Sequence, residues 1–111
     1  MSPNPPPAGP VGMAILYLIR HGDTTRYKIG RTNDVARRLK ELATGNPVPL
    51  RVIKTWEAPA VAGFEHLVHA HFDQHGCRVR ASQATEYFVI EDEADGVQTI
   101  DALHAEHLAS I

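Results

Sequence analysis

The chain holds a single cysteine, Cys77, so no disulfide can form within it, and no apolar run comes near the roughly 20 residues that a membrane-spanning helix requires. No membrane partner is expected, and a reduced cytosol (a cytoplasmic location) is the default compartment. A large excess of one sign of charge is also lacking. Eleven Lys and Arg stand against thirteen Asp and Glu, a net charge of −2 with histidine neutral, which by itself argues weakly against a nucleic-acid partner. There are no internal repeats. At 111 residues the length allows one domain with one modest core, and any site must lie on the surface of that core. Residues 1–12, MSPNPPPAGPVG, combine proline, glycine and small polar residues with neither a charged n-region nor a sustained apolar segment. They read as a disordered tail ahead of a single domain at 13–111.

What is present is unevenly distributed. From Met13 to Lys54 the basic residues are Arg20, Arg26, Lys28, Arg31, Arg37, Arg38, Lys40, Arg51 and Lys54, against only Asp23, Asp34 and Glu41. From Thr55 onward only Arg78 and Arg80 are basic, among ten acids. A basic half beside an acidic half suggests one face that attracts a polyanion and one that stays in water.

The hydrophobic pattern supplies the elements. Ala14–Arg20 is rich in β-formers, His21–Thr25 is a turn, and Tyr27–Arg31 is a second short strand, so a hairpin is the simplest reading. A helix follows, capped by Thr32 or Asn33 with Asp34 in its first turn; Val35, Leu39 and Leu42 form its apolar stripe, and Gly45 with Pro47 ends it. Arg38 sits at the edge of that stripe, where a purely solvated arginine is less expected than at Arg37 or Lys40. Leu50–Trp56 alternates as a third strand, with Leu50, Val52, Lys54 and Trp56 on one side. Pro59 then opens a helix to about His75, closed by Gly76, on which Glu65 and His69 lie one turn apart on the same side. Thr85–Ile90 reads as a short strand and 92–109 as an amphipathic helix. The fold class is α/β (α+β): a small three-stranded antiparallel sheet flanked by helices.

Within this frame stand a strand tyrosine (Tyr17), a cation in the neighbouring strand (Lys28), a helical arginine (Arg38) and one distant carboxylate (Glu65). Those are the parts that phosphodiester hydrolysis needs: a group to take a proton from water, cations for the phosphate, and an oxygen ligand for a divalent metal. In this order they resemble the GIY-YIG nuclease superfamily. Its first motif corresponds to Ile15-Leu16-Tyr17 and its second to Lys28-Ile29-Gly30, with Arg38 ten residues beyond Lys28 and Glu65 where the family places its metal-binding glutamate. The strings YKIGRT, LATGNPVPL, EHLVHAHF and Glu86-Tyr87-Phe88 are similar to the small phage-type, meiotically-upregulated-gene-like branch. The resemblance covers residues 14–90.

The resemblance implies a metal-dependent endonuclease acting on nucleic acid, DNA ahead of RNA, with a protein partner or a homo-oligomer as aids to targeting. On it Tyr17 activates or orients water, its proton made easier to lose by neighbouring cations, because a free tyrosine with a pKa near 10 is a poor base at neutral pH. Lys28, Arg31 and Arg38 supply that charge, Arg38 holds the scissile phosphate, and Arg37, Lys40 and His69 add contacts to nucleic acid or phosphate. Glu65 binds Mg²⁺ or Mn²⁺. Glu86 is a second carboxylate with a supporting role. Two positions depart from the motif: Ile15 stands for its glycine and Lys28 for its second tyrosine. Either Tyr17 serves alone or Tyr27 replaces the missing ring, and period-two alternation sets Tyr27 and Lys28 on opposite sides of the sheet.

Three rival readings remain. LIRHGDT, at Leu18–Thr24, resembles the phosphohistidine motif of histidine phosphatases, with Arg20 on the phosphate and His21 as nucleophile. His66, His69, His71, His75 and Cys77 suggest zinc, although only His71 and His75 hold the i, i+4 relation of a shared site. A nucleic-acid-binding module of the same fold that has lost cutting is the third, and the lysine in the second motif favours it.

Overall fold

The computed structural model describes residues 13–77 and 87–111. The tail at 1–12 and Glu86, Arg78 and Arg80 lie outside the described residues. The element order is β1 (Met13–His21), β2 (Arg26–Thr32), α1 (Val35–Ala43), β3 (Leu50–Pro59), α2 (Val61–Gln74), β4 (Tyr87–Val89) and α3 (Glu93–Ala109). The strands form one antiparallel sheet in the order β3-β1-β2-β4, so the expected three strands are joined by the short strand expected near Thr85–Ile90, on the outer edge of β2.

The β1–β2 register pairs Tyr17 with Gly30, Leu18 with Ile29, Ile19 with Lys28 and Arg20 with Tyr27. Because side chains alternate, this sorts the sheet into two faces. Leu16, Leu18, Tyr27, Ile29, Trp56, Ala58 and Phe88 take one face and form the core with Val61, Phe64, Val68 and Phe72 of α2 and Ile100 and Leu103 of α3. Tyr17, Ile19 and Lys28 are also buried, but they stand outside that cluster on the opposite face. A shift in the β1–β3 register after Leu18 pairs Lys54 with Leu18 and Val52 with Ile19, leaving Ile53 extra. The uninterrupted alternation expected from Leu50 to Trp56 is thereby broken, since an inserted residue reverses the side to which the strand's remaining residues point. Ile53 packs against the core, and Leu50 and Val52 pass to the Tyr17 face.

The helix termini correct three sequence expectations. Asp34, rather than Thr32 or Asn33, caps α1: its carboxylate accepts from the Arg37 amide at 3.0 Å. The Thr32 hydroxyl is occupied one step earlier, accepting from the Asp34 amide at 3.1 Å, and so prepares the cap instead of forming it. Pro59 ends β3 and does not open α2. Ala60 makes the reversal in the left-handed region at φ 50°, and the helix starts at Val61. Third, α3 begins at Glu93, because Asp92 is its cap and accepts from the Asp95 amide at 3.1 Å.

The C-terminal helix is held to β3 by polar contacts as well as apolar ones. Asp101 Oδ1 accepts from Trp56 Nε1 at 2.7 Å and from Lys54 Nζ at 2.8 Å. His104 and His107 meet the carbonyls of Glu57 and Pro59, each at 2.8 Å, with the His107 ring stacked on Phe64. No helix among the described residues is long and apolar enough to cross a membrane.

Candidate functional site

Tyr17 lies at the middle of β1 with 1% of its surface exposed, on the face away from the core. Its cross-strand partner is Gly30, and the pairing is a steric requirement. A Cβ at Gly30 would fall 2.6 Å from Tyr17 Cζ and closer still to the hydroxyl. The absent side chain is therefore the space in which the phenol ring crosses β2. At the far end of that ring Arg38 Nε donates to the Tyr17 hydroxyl at 3.4 Å. Arg38 reaches it from the half-buried side of α1, which also carries Val35, Leu39 and Leu42, as the sequence pattern indicates. A second nitrogen of the guanidinium, Nη1, meets Glu41 Oε1 at 3.4 Å. The hydrogen bond to Tyr17, with lesser help from Glu41, raises the Arg38 pKa against the opposing effect of burial.

Lys28 is on the same face, two residues along β2 from Gly30, and is nearly buried at 9% exposure. Its Nζ lies 4.9 Å from the centroid of the Tyr87 ring. Tyr27 turns the other way, as alternation requires. Its hydroxyl donates to Glu93 Oε1 at 2.9 Å at the start of α3, and burial together with the Glu93 carboxylate pushes its pKa up to about 12. A phenol so held keeps its proton at neutral pH, and it points away from Tyr17 and Lys28.

Glu65 and His69 both face β2 from α2. Arg31 Nε is 3.1 Å from Glu65 Oε1, and the Glu65 side chain is only 15% exposed. His69 Nε2 meets the Ile29 carbonyl at 2.8 Å and its ring packs on Phe88, so it fixes α2 to β2. Two groups of residues result: Tyr17, Arg38 and Lys28 on one face, and Arg31, Glu65 and His69 on the side of α2. They join through the consecutive residues Ile29, Gly30 and Arg31. Arg37 and Lys40 are exposed on α1; Arg37 is tied to Asn33 Oδ1 at 3.1 Å, and the pair lines a concavity with Leu39, Ala43 and Leu50.

Among the described residues no three His, Cys, Asp or Glu gather as a metal site. Glu65 is nonetheless a half-buried carboxylate already paired with a cation, Arg31. A single carboxylate completed by water and substrate oxygens is coordination that suits Mg²⁺ better than zinc. Of the histidine cluster, His69 goes to Ile29 while His71 and His75 meet ring to ring at 4.5 Å.

Arg20 and His21 do not share a pocket. Arg20 stands on the core face over the Tyr27 ring and pairs with Glu93 at 3.4 Å, whereas His21 lies 5.9 Å from the Tyr87 ring on the other side. The phosphohistidine resemblance ends there, because nucleophile and phosphate clamp would have to point the same way.

Sequence reasoning missed Tyr87 as a neighbour of the site. Its only sequence signal is its place in the string Glu86-Tyr87-Phe88. No curated protein and no solved structure matches the chain. Residues 14–104 match the T5orf172 domain, which occurs in phage-type and GIY-YIG-like nuclease-associated proteins. Since the match takes in the described strands apart from Met13 and most of α3, this chain belongs to the T5orf172 domain family.

Proposed function

We propose that the domain is a metal-dependent endonuclease of GIY-YIG type, with lysine in the second motif, hydrolysing phosphodiester bonds in nucleic acid and preferring DNA to RNA. The observation that carries this reading is the contact of Arg38 Nε with the Tyr17 hydroxyl, 3.4 Å apart, across a strand opened by Gly30. Two strands and a helix converge to put a guanidinium on a phenol, an arrangement that core packing alone would not require. Tyr17 accepts or orients the proton of the attacking water. Arg38 keeps its third nitrogen, Nη2, for a phosphate oxygen, with Lys28 adding charge on the same face. Arg31, Arg37 and Lys40 hold the backbone on either side. Glu65 is the residue to hold Mg²⁺ or Mn²⁺, which when bound would offset negative charge on the leaving oxygen. His69 keeps α2, and with it Glu65, in register with β2.

The test is cleavage of supercoiled plasmid, single-stranded DNA and structured RNA in Mg²⁺ and Mn²⁺, with Tyr17→Phe and Glu65→Ala beside the wild type. Loss of cutting in both variants, with folding intact, is the expected result. One observation favours a second reading, a nucleic-acid-binding module that does not cut: Tyr17 is only 1% exposed, and a general base must reach water. Salt-sensitive binding with no cleavage in any metal would support that module instead.

A further inference from the structure

Lys28 replaces a motif tyrosine, yet it is not a solvated cation. It is 9% exposed on a strand with neighbours on both sides, and an ammonium that leaves water needs groups that receive its charge. β4 brings one such group. Lys28 and Tyr87 are cross-strand partners, and the ammonium lies 4.9 Å from the ring centroid, inside the roughly 6 Å over which an aromatic face attracts a cation.

The ring also lies in an informative direction. Adjacent strands stand about 4.8 Å apart, so β4 and β1, separated by β2, are about 10 Å apart. The Tyr87 and His21 rings are nevertheless only 5.9 Å apart, so these side chains reach toward one another over β2. From β1, the Tyr17 ring crosses the same strand at Gly30. Two tyrosines on different strands therefore overhang β2, one at Gly30 and the other at Lys28, on a single face.

We propose that Tyr87 is a positioning residue: from β4 it returns the aromatic ring that the second motif lacks, and with that ring it holds the Lys28 ammonium on the face that carries Tyr17 as a fixed cation for the phosphate. The role of Lys28 rests on the nuclease reading, whereas the contact between ring and ammonium does not. The ring face is what acts, so phenylalanine substitutes for tyrosine and an aliphatic residue does not.

The experiment compares Tyr87→Phe, Tyr87→Leu, Lys28→Met and the double variant Tyr87→Leu/Lys28→Met for plasmid cleavage, with thermal melting to verify folding and Tyr87→Met in reserve if the leucine variant does not fold. Tyr87→Leu should lower cleavage about tenfold and Tyr87→Phe should stay within about threefold of wild type, the range set by a desolvated cation–π contact. The double variant should be no worse than Lys28→Met. In parallel, NMR of the chain labelled at lysine should show the Lys28 ε-methylene moved upfield by the ring current in wild type and Tyr87→Phe, and not in Tyr87→Leu. Equal losses in the phenylalanine and leucine variants would overturn the proposal, as would additive losses in the double variant or an unshifted Lys28 signal. If the wild type does not cut at all, the nuclease reading fails separately. The upfield shift, with binding of a duplex oligonucleotide weakened in Tyr87→Leu, would then sustain the positioning role, and unchanged binding would overturn it.

Discussion

The two faces of the same sheet are built on different terms. On the core side Leu16, Leu18, Ile29 and Phe88 are fully buried beneath two helices that contribute Phe64, Val68 and Ile100, also fully buried. On the other side the buried residues among those described are Tyr17, Ile19 and Lys28, and α1, which reaches that face through Arg38, has no buried residue. The first face gains from removing apolar surface from water, which is the main source of stability in a domain this small. The second carries a phenol with a guanidinium on its hydroxyl and, on the same face, an ammonium, an arrangement that adds little stability and much local charge. Alternation along β1 and β2 lets one pair of strands do both. Stability and the proposed roles of Tyr17, Lys28 and Arg38 are then separable by which way a residue points, whereas Glu65 and Arg31 lie on the α2 side with the core.

The sharpest way to break that comparison is to cut one apolar side chain back to alanine on each side of the sheet. Phe64→Ala should cost about 3–5 kcal/mol, because the ring is fully buried between α2, α3 and the sheet and leaves a cavity. Leu42→Ala, on half-buried α1, should cost about 1 kcal/mol. Urea unfolding of the two variants measures both, and equal losses would mean that α1 belongs to the core.

The next effect is on the pH profile of stability, and it too belongs to the core face. Tyr27 has its folded pKa raised to about 12, chiefly by burial and then by the hydroxyl that it donates to Glu93. An unfolded chain releases that proton near pH 10, so the stability tied to the protonated phenol is complete below pH 10 and is lost as pH rises to 12. The loss amounts to about 2–3 kcal/mol by linkage over that window. Tyr27→Phe should flatten the alkaline limb of a melting-temperature profile, and a limb unchanged in that variant would assign it to another group.

Gly30→Ala tests the polar face. The new methyl would meet the Tyr17 ring, which must move or strain the strand at about 1–3 kcal/mol. The melting temperature should therefore fall by less than in Phe64→Ala. Cleavage should fall far more than stability, because displacing the phenol also breaks its contact with Arg38. A variant that melts early but cuts normally would show that the Tyr17–Gly30 packing is structural alone.

How much of this was legible in the sequence follows the same division. The strands, the half-buried stripe of α1 with Arg38 at its edge, and the opposite facing of Tyr27 and Lys28 are all periodicity, which survives into the structure because one face is buried. What failed was local: Pro59 looked like a helix opener, and Leu50–Trp56 looked like one unbroken alternation. A register shift at Ile53 and a left-handed turn at Ala60 depend on what the neighbouring strand and helix need, and no residue there advertises them. The proposed site residues stand in the sequence as an ordered set, but their grouping in space is not legible there. That Arg31 pairs with Glu65, that His69 serves a backbone carbonyl and that Tyr87 lies over Lys28 are long-range contacts, and spacing along the chain does not encode them.

The smallest effect is the one that would define where nucleic acid runs. Arg37 projects from the exposed side of α1, where it donates to Asn33 Oδ1 at 3.1 Å and lies 3.9 Å from Glu41. Arg37→Ala should therefore change stability by less than about 0.5 kcal/mol, as surface substitutions do. If the backbone of a bound strand passes over α1, the same substitution removes about one phosphate contact, so the slope of log affinity against log salt becomes shallower by about one and affinity falls alike for every sequence tested. Fluorescence anisotropy with two unrelated duplexes across a salt series reads both quantities. A shallower slope with unchanged melting would put the polyanion on the face of Tyr17, Lys28 and α1. An unchanged slope would remove α1 from the path and leave the strand to Arg31 and the side of α2, where the stabilising face and the binding face would no longer be distinct.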